Sequence, residues 1–227
     1  MRAVLWDMDG TLVDSEKLWD VAINELYTRR GRVLAPEVRD ATVGGSADGV
    51  IRIVFDDLGL DPDPGHMAEI ADWMHDYVGE LFTTGLPWCP GARELLDALL
   101  AADVPMALVT NTRRELTENA LNSIGRHYFS VTVCGDEVPE GKPAPDIYLR
   151  AAELLGLDAG DCLAIEDSVT GTAAAEAAGC PVLVVPNEVE VPVTHRRHRA
   201  SSLAALGIPQ LRQIYADLQL ELDERSA

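Results

Sequence analysis

The chain has 227 residues, 47% of them apolar, with 38 acidic against 18 basic side chains and a formal charge of −20. That balance speaks against nucleic acid, whose partners carry a basic footprint. No apolar run approaches the ~20 residues a membrane-spanning helix needs, and a sequence that starts directly on a strand without a leader points to a cytoplasmic protein.

The apolar run Ala3-Val4-Leu5-Trp6 reads as a buried strand and breaks off in Asp7-Met8-Asp9-Gly10-Thr11. Side chains two apart on an extended chain share a face, so Asp7 and Asp9 crowd each other unless a cation joins them or one is protonated. A solvated turn uses the same residue types, and the choice between the two rests on the residues that end the other strands.

From Ser15 the period becomes helical. Ser15 is a candidate N-cap for a helix carrying Trp19, Ala22, Ile23, Leu26 and Tyr27. A second helix is predicted over 47–58 with Gly59 as its stop, and a third carries Met67, Ile70, Met74, Val78 and Leu81. No strand pattern occurs from 15 to 84, which marks an all-helical insertion over 15–87 between two parts of a core, 1–14 and 88–227. After Trp88-Cys89-Pro90-Gly91 strands and helices alternate: strands over 104–109, 131–134, 162–165 and 182–185, and helices around Leu95–Leu100, Leu116–Ile124, Ile147–Leu155 and Val169–Ala178. Apolar, non-alternating strands separated by helices predict an α/β fold, a Rossmann-like parallel sheet with helices on both faces. Residues 187–201 are expected to be a loop, with the basic run His195-Arg196-Arg197-His198-Arg199 solvated or serving as an anion or partner contact. A helix from about Pro209 to Leu222 closes the chain. Cys89, Cys134, Cys162 and Cys180 lack paired spacing and read as free thiols.

Ligands of open parallel sheets bind beyond the carboxyl ends of the strands. There the sequence places Asp7 and Asp9, Thr110-Asn111, Gly135-Asp136 followed by Gly141-Lys142-Pro143, and Glu166-Asp167-Ser168. Asp136 alone reads as a turn residue and Ser168 as an N-cap. Lys142 is one of two lysines in the chain, the other being Lys17. Carboxylates in contact repel by about 4 kcal/mol per pair at an effective dielectric of ~20. A hard divalent ion with oxygen ligands removes that cost, and Mg²⁺ suits a site that also holds phosphate. Thr110, Asn111, Lys142 and the backbone N–H groups after Asp7, around Met8, can bind a phosphoryl dianion. A carboxylate can attack phosphorus, and a second one two residues on can move the protons.

Asp7-Met-Asp9-Gly-Thr-Leu-Val-Asp14, Val-Thr110-Asn111, Gly-Lys142-Pro-Ala-Pro-Asp146 and Ile-Glu166-Asp167-Ser168-x-x-Gly171 resemble, in order, the four motifs of the haloacid dehalogenase superfamily. The insertion is similar to that family's helical cap placed after the first strand. The resemblance implies Asp7 as nucleophile, Asp9 as general acid/base, Thr110, Asn111 and Lys142 on the phosphoryl group, and Mg²⁺ on Asp7, the Asp9 carbonyl and Asp167 with Glu166 in support. Dehalogenating members lack the second aspartate, so Asp9 implies phosphoryl chemistry.

Within the superfamily the chain resembles the branch of β-phosphoglucomutase and the sugar-phosphate phosphatases. Glu16 and Trp19 match the start of the cap in hexose-phosphate phosphatases, and Gly44-Gly45-Ser46 matches the loop that sets substrate choice. Ala47 stands where a mutase carries an arginine, and no lysine lies between 18 and 141, although Arg52 lies one helical turn past the loop. The expectation is a Mg²⁺-dependent phosphatase acting on a small phosphorylated metabolite, a sugar phosphate, as a monomer or weak homodimer. A phosphosugar mutase is the alternative. A receiver-like signalling domain and a silent phosphate-binding module are the readings of another class.

Overall fold

The computed structural model describes residues 1–42, 47–83, 85–187, 190–192, 194 and 196–226. The chain divides into two compact units, Met1–Asp14 with Pro87–Ala227, and Ser15–Leu86. Pro87, which the sequence assigns to the insertion, falls in the first of these. Its carbonyl accepts the Asp14 N–H at 2.8 Å.

The first unit holds β1 (Ala3–Trp6), β2 (Met106–Thr110), β3 (Val131–Cys134), β4 (Cys162–Glu166), β5 (Val182–Val184) and β6 (Arg197–Arg199). They form one parallel sheet in the order β3-β2-β1-β4-β5-β6. Trp6 stands opposite Leu108 on one side and Ile165 on the other, so the carboxyl ends of β1, β2 and β4 fall within two residues of one another. Every residue of these three strands is buried, because helices cover both faces.

The helical unit contains α1 (Glu16–Arg29), α2 (Pro36–Thr42), α3 (Ala47–Leu58) and α4 (Pro64–Thr83). The sheet unit contains α5 (Ala92–Ala101), α6 (Arg114–Ile124), α7 (Asp146–Leu155), α8 (Val169–Ala177) and α9 (Ile208–Ser226). Ile147, Tyr148, Ala151 and Ala152 of α7, with Ala174 and Ala175 of α8, pack in one cluster with Leu5, Val109, Ala164 and Val182 of the sheet. No helix among the described residues is long and apolar enough to cross a membrane.

Two elements differ from the sequence-based expectation. α2 has no counterpart there; it is 7 residues long and presents no apolar stripe, and its one start signal is Pro36 at the first helical position. The basic run is a strand rather than a loop over Arg197–Arg199, which pair with Val182–Val184. Charged side chains are suited to a sheet edge, where pairing is needed on one side only. Arg197 is drawn onto the sheet by Glu176 of α8, with Nε–Oε1 at 2.7 Å and Nη2–Oε2 at 2.9 Å. His195 lies outside the described residues. α1 also starts without a side-chain cap from Ser15. All four cysteines are free thiols.

Candidate active site

The Asp7 N–H continues the β1–β4 ladder to the Ile165 carbonyl at 3.0 Å, which puts the Asp7 side chain at the carboxyl edge of the sheet. The chain then turns sharply. Gly10 has φ +83°, and its N–H meets the Val13 carbonyl at 2.8 Å. A Cβ at Gly10 would lie 2.0 Å from Asp167 Oδ2. Only glycine lets this turn approach the second acidic strand end. Thr11 Oγ1 donates to Asp167 Oδ1 at 3.4 Å from the same turn.

Lys142 arrives from the loop after β3. Its Nζ donates to Asp7 Oδ1 at 2.5 Å and Glu166 Oε1 at 2.7 Å, and 4% of its side chain is exposed. Asn111 at the end of β2 positions that loop. Its Oδ1 accepts the Lys142 N–H at 2.8 Å, and its Nδ2 donates to the Lys142 carbonyl at 3.1 Å. Both ends of the Asn111 amide are thus engaged with the Lys142 main chain.

Glu166 is a hub. Oε1 accepts from Lys142 and, at 2.6 Å, from the Tyr148 hydroxyl; Oε2 accepts from the N–H groups of Asp167 and Ser168 and from the Ser168 hydroxyl. The last three donors lie at the start of α8, whose dipole also favours a carboxylate there. A Cβ at Gly171 would fall 1.9 Å from Glu166 Oε1, so the helix must present glycine to it. Ser168 caps α8 as the sequence predicts, accepting the Gly171 N–H at 3.0 Å. Asp136 lies apart from this cluster's bonds and accepts the Arg114 N–H at 2.9 Å.

Asp9 takes a different set of partners. Its Oδ2 accepts from Thr110 Oγ1 at 3.0 Å and Thr112 Oγ1 at 2.7 Å. Met8 is wholly buried, and its carbonyl accepts the Leu12 and Val13 N–H groups.

The electrostatics are unbalanced. Ligand oxygens of Asp7, Glu166 and Asp167 lie within 4.8 Å of one another. Burial, with the neighbouring acids, pushes Asp7 up to about 7 against the pull of Lys142. Burial and the Asp7 charge push Asp167 up to about 9. Burial works against the Lys142 ammonium, but Asp7 and Glu166 outweigh it and hold its pKa above the usual range. Asp7 Oδ2 is buried and has no hydrogen-bond partner. An orphaned buried carboxylate oxygen beside two further carboxylates is the donor chemistry of a hard divalent cation, and the residues fit one.

Two participants are absent from the sequence-based expectation. Thr112 was signalled by alternation, since positions 110 and 112 share a side of an extended segment. Tyr148 sits among apolar residues at helical spacing, where an aromatic reads as core, and nothing in the sequence pairs it with Glu166. Of the residues expected to choose the substrate, Trp19 packs edge-on against His75 at 5.2 Å and Arg52 is exposed on α3. Gly45, Ser46 and the Glu16 side chain lie outside the described residues.

Residues 1–179 match the profile of the haloacid dehalogenase-like hydrolases. The chain belongs to that family. Among relatives, it is 33% identical over 196 residues to protein CbbY of Rhodobacter capsulatus, covering 83% of this chain and 86% of that one. It is 32% identical over 190 residues to a phosphoglycolate phosphatase of Thiobacillus denitrificans, covering 82% and 83%. A crystal structure of a CbbY mutant from Rhodobacter sphaeroides with xylulose-(1,5)bisphosphate superimposes with a TM-score of 0.78 at 28% identity, over 93% of this chain and 99% of that one. The chain is therefore a haloacid dehalogenase-like phosphoric monoester hydrolase.

Proposed function

We propose that the protein hydrolyses a small sugar phosphate through an aspartyl-phosphate on Asp7, with Mg²⁺ as its metal. The observation that carries this reading is the state of the Asp7 carboxylate: one oxygen is held by Lys142, and the other is buried without a donor. A carboxylate fixed at one end and unclaimed at the other is arranged to attack. Asp7, the Asp9 carbonyl and Asp167 would hold the metal. Glu166, with five donors on its two oxygens, anchors Lys142 and Asp167 from behind. The metal would offset the charge of the phosphoryl oxygens when bound.

The chain's own residues supply the rest. Asp7 forms the new O–P bond as the ester P–O bond breaks, and Asp9 gives the leaving oxygen its proton. Asp9 then takes a proton from water as it attacks phosphorus, which frees phosphate and restores the Asp7 carboxylate. Lys142 steadies Asp7 and the incoming dianion, and Thr110 offers its hydroxyl to a phosphoryl oxygen.

A sugar phosphate is supported by the likeness to CbbY, one structure of which holds a sugar bisphosphate. The helical unit would act as the cap. Its Arg29, Arg32 and Arg39 are paired with acids of the same unit, and residues 15–86 carry 14 acidic against 6 basic side chains, a field unfavourable to a second phosphate. That favours net hydrolysis of a monophosphate.

Phosphate release should be measured from p-nitrophenyl phosphate and from sugar, polyol, glycolate and nucleotide monophosphates, with Mg²⁺ and with excess EDTA. The expected result is turnover with Mg²⁺, none with EDTA, and the best rate on a sugar phosphate. Asp7→Asn should abolish turnover in a folded protein; activity above a few per cent would mean another nucleophile. Isomerisation of a hexose 1-phosphate without net phosphate release would replace the phosphatase with a mutase.

A further inference from the structure

The segment leaving β2 presents two hydroxyls to one carboxylate oxygen. Thr110 Oγ1 and Thr112 Oγ1 both reach Asp9 Oδ2, at 3.0 and 2.7 Å, and the Thr112 N–H donates to Thr110 Oγ1 at 3.1 Å. A hydroxyl has a single proton to give. In this arrangement the Thr110 proton is committed to Asp9, so a phosphoryl oxygen can receive it only if that bond is released. One hydroxyl then remains on Asp9 Oδ2 from this segment, and it is the closer of the two.

We propose that Thr112 is a positioning residue for Asp9. Its hydroxyl keeps the Asp9 carboxylate in place when Thr110 turns to the phosphoryl group, so that one threonine serves the substrate and the other the proton-transfer residue. The proposal rests on the reading of Asp9 as general acid/base. Its physical need is plain: an aspartate has two free side-chain torsions, and a misplacement of 1 Å costs on the order of 10²-fold in rate.

The supporting segment is well fixed. Thr117 Oγ1 lies within hydrogen-bond reach of the carbonyls of Arg113 at 3.0 Å and Thr112 at 3.3 Å and gives its proton to one or the other, which ties the turn to α6. The intervening Asn111 is clamped by the Lys142 main chain. A Cβ at Gly135 would lie 2.4 Å from the Asn111 carbonyl oxygen, so the neighbouring strand end also closes on it. The Thr112 hydroxyl therefore projects from a turn held on three sides.

The test uses the full chain with Mg²⁺ and p-nitrophenyl phosphate, comparing Thr112→Val, which keeps the shape and loses the hydroxyl, with Thr112→Ser, which keeps the hydroxyl. For Thr112→Val we expect kcat to fall roughly 10- to 100-fold, a part of the 10²–10⁴ that general acid–base catalysis supplies, with KM falling alongside it so that kcat/KM on this substrate stays within about twofold. Thr112→Ser should stay within about threefold of the parent, a rescue that a purely structural role for the residue's bulk would not give. Rapid mixing adds a second readout. p-Nitrophenolate departs without needing a proton, so the first turnover is spared and Thr112→Val should release a burst stoichiometric with enzyme before a slow steady state.

Unchanged kcat in Thr112→Val, or a serine variant as poor as the valine one, overturns the proposal. Should Thr112→Val not fold, Thr112→Ala gives the same contrast with serine. Asp9→Asn is assayed alongside. If it retains turnover, the reading of Asp9 falls; if it is inactive while Thr112→Val turns over normally, only the role of Thr112 falls.

Discussion

In the sheet unit Lys142 has 4% of its side chain exposed while bonding Asp7 and Glu166, of which 8% and 0% are exposed. In the helical unit Arg29, Arg32 and Arg39 meet their acids with 52%, 50% and 27% of their side chains in water. The same pairing of charges therefore has two physical meanings. Buried, it is a costly arrangement held together by geometry, and removing one partner strands the others. Near water it is worth little. The proposed chemistry lies where charge is costly, and the ion pairs of the proposed cap lie where it is cheap.

The sharpest way to break this contrast is Lys142→Met. Two carboxylates would lose their shared ammonium in a dry site, a change expected to cost about 3–5 kcal/mol in the metal-free protein. For a chain of this size that lowers the melting temperature by roughly 6–20 °C. Loss of a fixed cation at the developing charge should also cost ~10²–10³ in kcat. Calorimetry with chelator and phosphate release with Mg²⁺ check the two effects. A variant that melts within a degree of the parent would show that the cluster is held by other means.

Acidity offers a second probe. Asp7 and Asp167 are raised from an ordinary value of 3.8, to about 7 and about 9. The folded state therefore binds more protons than the unfolded one, and stability falls as pH rises through that window. In chelator the melting temperature should decline from pH 5 to pH 9. Glu137, lowered by its bond from Arg114, and Glu176, whose burial is outweighed by Arg197, act in the opposite sense and only on acidification below their ordinary value of 4.5. The N-terminal amine, lowered by burial from 8.0, opposes the decline as a single exposed-edge group. Saturating Mg²⁺ should flatten the decline, because an ion that binds the deprotonated cluster replaces the protons. A melting temperature independent of pH and of Mg²⁺ over this range would remove the crowded-carboxylate account.

The contrast also explains how much of the molecule is legible in its sequence. Asp7, Asp9, Glu166 and Asp167 stand at or just after the end of an apolar strand, and the parallel topology brings those ends together, while Lys142 comes from the loop after β3 and is placed by Asn111. Tyr148 is hidden because its role depends on a three-dimensional neighbour, Glu166, that no local period encodes, whereas Thr112 carries a local signal in its alternation with Thr110. α2 and β6 escape for a related reason. Both are short and polar, and they form because packing or pairing on one side stabilises them, as Glu176 does for Arg197.

Tyr148→Phe tests the hub more gently. It removes one donor at 2.6 Å from Glu166 Oε1 and keeps the ring, whose centroid lies 5.3 Å from Lys142 Nζ. Lys142 still donates to that oxygen, so the acceptor is not orphaned. A hydrogen bond to a charged group is worth about 1.5–3 kcal/mol, which predicts a fall of roughly 3–12 °C in melting temperature. Turnover should drop less than in Lys142→Met, because the bond from Lys142 to Asp7 survives.

The smallest effect belongs to the helical unit. Arg39 on α2 donates to Asp20 Oδ2 on α1 through Nε at 3.1 Å and Nη2 at 2.6 Å. Both nitrogens converge on one oxygen, so the pair is not the two-pronged fork that gives arginine its strongest bonds. With about a quarter of each side chain exposed, Arg39→Ala should cost about 0.2–1 kcal/mol, and raising NaCl to about 0.5 M should erase most of that difference by screening. The Lys142 cluster should be far less sensitive to the same salt, since it is buried where counter-ions screen little. Melting curves of the parent, Arg39→Ala and Lys142→Met at low and high NaCl, all in chelator, therefore test the comparison in one experiment. A loss of about 3 kcal/mol or more in Arg39→Ala, persisting in salt, would mean that the helical unit also depends on desolvated charge and that the division between the two units is not the one drawn from exposure.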